Sequence, residues 1–76
     1  MKEFKITNTR HIMPFDKVRE ADGEIGVVYH IYSPTTVSLY LRGYEDDNEA
    51  ERDFQTNIND IKLILDVKEA KRRGIE

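Results

Sequence analysis

Residues 48–73 read NEAERDFQTNINDIKLILDVKEAKRR, and the period assigned to this stretch decides how much of the chain is helix and how much is sheet. Two periods compete in it. Phe54, Ile58, Ile61 and Leu65 step by four, three and four, the spacing of one helical face. Ile61, Leu63, Leu65 and Val67 alternate, the spacing of a strand. The flanks Glu49-Ala50-Glu51-Arg52 and Lys68-Glu69-Ala70-Lys71-Arg72-Arg73 are strong helix formers, so the helical period is preferred. Asp46, Asp47 and Asn48 are suitable N-caps, and Asn48 with Glu51 approaches a capping box. Gly74 after three basic residues is a stop signal. Acids at the start and bases at the end also suit the helix dipole. Such a helix would be ~39 Å long, longer than strands of about nine residues, and Thr56-Asn57-Ile58-Asn59 is where weak helix formers would break it.

Upstream, the pattern is that of strands. Thr36–Tyr44 alternates Val37, Leu39 and Leu41 with Ser38, Tyr40, Arg42 and Tyr44. Glu24–Ser33 alternates Ile25, Val27, Tyr29 and Ile31 with Val28, His30 and Tyr32. Both are rich in β-branched and aromatic types, and Pro34 between them implies an antiparallel hairpin. The apolar faces align only if paired residue numbers sum to an even value, which requires an odd loop such as three residues. Residues 2–8 alternate as a short edge strand, with Phe4 and Ile6 on one side. Residues 9–23 read as irregular: Asp16 is a candidate cap for a turn of helix over Lys17–Ala21, ended by Gly23. The expected fold is α+β: a three-stranded, mostly antiparallel sheet in β-β-β-α order, with one long or broken C-terminal helix packed on one face.

With 76 residues the chain is one domain, residues 1–76, with one core. It has no cysteine, which excludes a thiolate metal site and a cysteine nucleophile and points to a reducing, cytoplasmic setting. No signal peptide is visible, and no apolar run approaches the ~20 residues of a membrane span. The net charge of −3 hides a segregated pattern. Residues 1–44 hold six Lys/Arg against five Asp/Glu, a net of +1; residues 45–76 hold six against ten, a net of −4. Within Glu45–Asp53 stand six acids and one base.

Four features carry candidate chemistry. The face Val28, His30, Tyr32, Ser38, Tyr40, Arg42 and Tyr44 would lack a helical cover, and its tyrosines and arginine have the composition of a binding platform. The acidic run Glu45, Asp46, Asp47, Glu49, Glu51 and Asp53 would attract a basic partner and speed encounter with it. Calcium coordination is disfavoured there, because the run lacks the Gly of a calcium loop. Leu63, Val67 and Ala70, spaced by four and three, would form a second helical stripe open to self-association as a homodimer. Catalysis finds no motif: Ser38 and His30 are candidate cross-strand neighbours, but no carboxylate accompanies them to orient the imidazole.

Together these features imply a non-enzymatic interaction protein without cofactor or metal, of the size and acidity associated with phage-encoded and other accessory regulators. Its function would be to inhibit or modulate a larger basic partner, with Tyr40, Arg42 and Tyr44 as anchors beside the acids. If that partner binds nucleic acid, the carboxylates would stand where phosphates sit, as a DNA mimic. Direct binding of nucleic acid through the Tyr/Arg face and the basic tail Lys68, Lys71, Arg72 and Arg73 is the alternative, disfavoured by the acidic balance of the chain. A structural, self-assembling subunit built on the Leu63 stripe is a third reading.

Overall fold

In the computed structural model, Ile61–Leu65 is a β-strand. The structure describes residues 1–40 and 51–75, of which 51–54 by their backbone alone. Alternation therefore prevails over the helical period. Ile61, Leu63 and Leu65 are buried, Lys62 is exposed, and Ile64 is half-buried. Helix propensities differ by only a few tenths of a kcal/mol per residue, whereas burying a branched side chain is worth about 1.5–3 kcal/mol. An interior strand that buries three of them overrides the propensity of its flanks.

Among the described residues six strands and one helix follow in chain order: β1 (Lys2–Phe4), β2 (Lys17–Glu20), β3 (Ile25–Ile31), β4 (Thr36–Tyr40), β5 (Glu51–Asn57), β6 (Ile61–Leu65) and α1 (Val67–Arg72). Single turns of 3-10 helix stand at Thr9–His11 and Ile58–Asp60. The strands form one sheet in the order β1-β6-β2-β3-β4-β5, every neighbour antiparallel. The expected three-stranded sheet with a long C-terminal helix is thus overturned. Glu51–Asn57 is a strand paired with β4, and the helix has six residues.

Each departure has a local cause. Residues 17–20 alternate Lys17, Val18 and Arg19, of which Val18 alone is fully buried, so they pair as a strand instead of coiling behind Asp16. Gly23 does not stop a helix; it closes the β2–β3 hairpin with φ 90°, the left-handed conformation that suits glycine. Asn57 caps the 3-10 turn by accepting from the Asn59 amide at 2.8 Å, so the weak helix formers end one strand and lead to the next, and there is no long helix for them to break. Asp66 is the true helix N-cap, accepting from the Lys68 amide at 3.2 Å. Gly74 (φ 84°) ends α1 as expected: its amide donates to Lys71 O, and the Ile75 amide donates to Ala70 O.

A bulge between Val28 and His30 splits the face expected of β3. Before it, Val28 points into the core and Ile25 is 47% exposed; after it, Ile31 packs against the core. Pairing near the turn joins Ile31 with Val37 and His30 with Ser38, both even sums, as the face-matching requires. The Tyr32 amide donates to Thr36 O, leaving Ser33, Pro34 and Thr35 as the three-residue loop. No glycine is needed there, because Ser33 Oγ accepts from the amides of Thr35 (3.2 Å) and Thr36 (3.1 Å).

One core collects Val18, Val28, Val37, Leu39, Ile61, Leu63 and Leu65 from the sheet, with Ile6, Ile12, Ile58, Ala70 and Ile75 closing it. The stripe expected for self-association is dispersed by this arrangement. Leu63 is fully buried in β6, Ala70 is the buried residue of α1, and Val67 is 42% exposed. Leu63→Ala is expected to cost about 3 kcal/mol in urea unfolding, and Val67→Ala less than about 0.5 kcal/mol. Equal effects from the two would be at odds with this packing.

Candidate functional site

The Met13–Asp16 turn holds Phe15, the one non-glycine residue with a positive φ among the described residues. Its geometry is closed twice by Asp16: Oδ2 accepts from the Met13 amide at 2.7 Å, and the Asp16 amide donates to Met13 O at 3.1 Å. The Phe15 amide donates to Val28 O and the Val28 amide to Asp16 O, both at 2.8 Å, which ties the turn to β3. Between these anchors Phe15 adopts φ 75°. For a bulky residue this backbone costs on the order of 1–2 kcal/mol, so the surrounding bonds must hold it there. The result is a phenyl ring that is 59% exposed, its centroid 5.5 Å from that of Tyr40. Tyr29 meets the Tyr40 ring edge-on at 4.8 Å. Tyr40 itself is buried but stands outside the main core cluster, so these three rings form a separate aromatic ledge.

Arg73, just past α1, locks the turn from behind. Its guanidinium grips Asp16 with two bonds, Nη1 to Oδ2 at 2.6 Å and Nη2 to Oδ1 at 3.1 Å. Nη1 also donates to His11 O at 3.0 Å, and Nε donates to Glu69 Oε2 at 2.7 Å. The side chains of Arg73 and Asp16 are only 14% and 11% exposed. Hydrogen bonds to Asp16, then to Glu69, raise the Arg73 pKa despite burial. Glu69 is held below its ordinary value, first by the hydrogen bond from Arg73 and then by that from Arg72.

The residues singled out in the sequence are only partly brought together. Tyr40 ends β4, and its Cα partner is Glu51 at the start of β5. Asp53 also belongs to β5. Arg42, Tyr44, Glu45, Asp46, Asp47 and Glu49 lie outside the described residues. The acids at Glu51 and Asp53 are strand residues, so compensation of a helix start at Asn48 does not explain them. Nor is the Tyr/His/Arg face one open platform. His30 and Tyr32 are exposed and pack on each other edge-on at 4.8 Å, while Val28, Ser38 and Tyr40 are buried. His30 and Ser38 are cross-strand partners, but Ser38 Oγ is buried with no hydrogen-bond partner among the described residues.

Two features escaped the sequence reading. Phe15 carries no periodic signal; Pro14 and Asp16 around it mark a turn, but only the Arg73 contact reveals which way the ring faces. The other is a basic sheet face. Lys17 and Arg19 of β2 lie beside β6, where Arg19 pairs with Lys62 and Lys17 with Ile64; on the other side they oppose Val27 and Ile25. Arg19 Nε donates to Glu3 Oε2 at 3.0 Å, while Lys17 and Lys62 have no ion pair among the described residues. The strands therefore do carry basic residues on one face, hidden as long as residues 17–20 read as loop.

Among the described residues no group of three or more His, Cys, Asp or Glu side chains is placed to hold a metal ion, and no helix is long and apolar enough to cross a membrane. Comparison of the chain with models of protein families, with curated proteins and with solved structures finds no match.

Arg73→Met leaves Asp16 partly buried without its cation, and a loss of about 3 kcal/mol in chemical unfolding is expected. The lowered pKa of Glu69 sets a sign for pH. Its contribution is complete above the unfolded value of 4.5 and drains away as pH falls through the lower folded value. Urea midpoints followed downward from neutral pH should therefore drop on the acid side of 4.5, and the drop should be shallower in Glu69→Gln.

Proposed function

We propose that this domain is a non-enzymatic interaction module that docks a basic protein partner on the aromatic ledge and the acidic stretch beside it. The observation that carries this reading is the position of Phe15: a ring held exposed at a backbone cost, in contact with the tyrosine from which the chain enters its most acidic segment. A strained and solvent-facing aromatic fixed by a partly buried ion pair does little for folding, whereas pre-organisation favours binding. Arginine and lysine side chains are what an aromatic face and clustered carboxylates recognise together, by cation–π attraction and by charge. The contact set is Phe15 with Tyr40, Arg42, Tyr44, Glu45, Asp46, Asp47, Glu49, Glu51 and Asp53. A partner that uses its basic surface for nucleic acid would be inhibited, the carboxylates taking the place of phosphates. The cysteine-free composition supports a cytoplasmic setting.

An arginine-rich peptide titrated by fluorescence anisotropy tests the reading. Affinity should fall more than about 10-fold between ~0.05 M and ~0.5 M salt. Phe15→Ala should weaken binding about 2–5-fold at low salt, the worth of one exposed cation–π contact. Substitution of Asp46, Asp47 and Glu49 by lysine should abolish it. Unchanged binding by the lysine variant would remove the acidic stretch from the interface.

A further inference from the structure

Strand β1 opens the order of the sheet and has one neighbour, β6, among the described residues. Alternate residues of such an edge turn their backbone N–H and C=O away from the sheet. The chain runs on through Lys5, Ile6 and Thr7, whose backbone groups make no hydrogen bond among the described residues. Ile6 is 2% exposed, so water has little access to its peptide groups either. An open groove of about 430 Å³ follows this edge. Residues 2–7 line it consecutively, and His11, Gly74 and Ile75 complete the lining. His11 Nδ1 donates to Arg73 O at 3.0 Å, which holds the ring in place, and Gly74 contributes backbone without a side chain. The cations Lys2 and Lys5 are exposed and have no ion pair among the described residues. Glu3, the acid among the lining residues, is already met by Arg19 Nε at 3.0 Å.

We propose that an extended, acidic peptide segment of a partner protein lies in this groove and adds to β1 as a further strand. The groove offers what strand addition requires: an unpaired edge, backbone donors and acceptors beyond it, and a second wall. Lysines on an edge guard a sheet against neutral and basic strands, so the same Lys2 and Lys5 select for carboxylates. Glu or Asp beside either lysine gains an ion pair that Glu3, engaged with Arg19, does little to oppose. A second copy of the chain is the less complementary occupant, because its own residues 2–5 would bring two more lysines and one acid to the seam. The groove shares no lining residue with the ledge of Phe15, Tyr29 and Tyr40 and attracts the opposite charge, so the inference stands apart from the proposed function.

The probe is a fluorescein-labelled peptide of alternating valine and glutamate, titrated with the full chain by anisotropy. Binding at ~0.05 M salt that weakens more than about 10-fold at ~0.5 M is expected. The same peptide N-methylated at every residue keeps its charge and has no backbone donor; it should not bind, and neither should a valine–lysine peptide. Lys2→Glu with Lys5→Glu changes two exposed side chains and should melt, by circular dichroism, as the parent does. It should weaken the valine–glutamate peptide more than about 10-fold at low salt. Amide NMR shifts on binding should centre on residues 2–7 and Gly74. No binding at low salt, equal binding of the N-methylated or the valine–lysine peptide, or shifts centred on Phe15 and Tyr40 overturns the proposal. A parent chain that sediments as a dimer and becomes monomeric in Lys2→Glu with Lys5→Glu also overturns it, since a second copy then holds the edge.

Discussion

Strand β6 sits between β1 and β2, so residues near the C-terminus are inserted between two strands from the first part of the chain. Everything else depends on that insertion. It buries Ile61, Leu63 and Leu65 beside Val18, and it satisfies the β6 backbone on both sides. It also fixes where α1 begins, one residue after the strand, with Asp66 as both connector and cap. A helix in place of β6 would leave β1 without a partner and Val18 without cover. The cost of this design is a set of contacts far apart in sequence, whose loop-closure entropy must be overcome before burial rewards them.

The ion pair between Arg73 and Asp16 extends the same closure to the surface. It joins residues 57 apart in sequence, at the end of α1 and in the turn before β2. Charge pairs with this little exposure stabilise weakly in net terms, since desolvation offsets much of the attraction. Their effect here is geometric. Asp16 closes the Met13–Asp16 turn with one oxygen while Arg73 holds both, and Phe15 has nowhere to go but outward. The C-terminal helix, small as it is, thereby controls the conformation of the aromatic ledge.

Charge segregation along the chain has a described counterpart in the sheet on its basic side. The N-terminal part supplies Lys17 and Arg19 to β2 and β6 adds Lys62, while of the acidic run Glu51 and Asp53 belong to β5.

Much of this was legible in the residues alone. The alternation in Glu24–Ser33 and Thr36–Tyr44 announced the β3–β4 hairpin and its odd loop, because period two and a matched apolar face select the register next to the turn. Gly74 announced the end of α1, because the left-handed stop is a local demand. The acidic run is a property of composition and needed no fold. What the residues could not decide was Ile61–Leu65, where helical and strand periods coexist and only the neighbours β1 and β2 choose between them. The bulge in β3, the strand at Lys17–Glu20 and the outward ring of Phe15 belong to the same class. Each is set by a partner distant in sequence, and a local period carries no information about a partner it has not yet met.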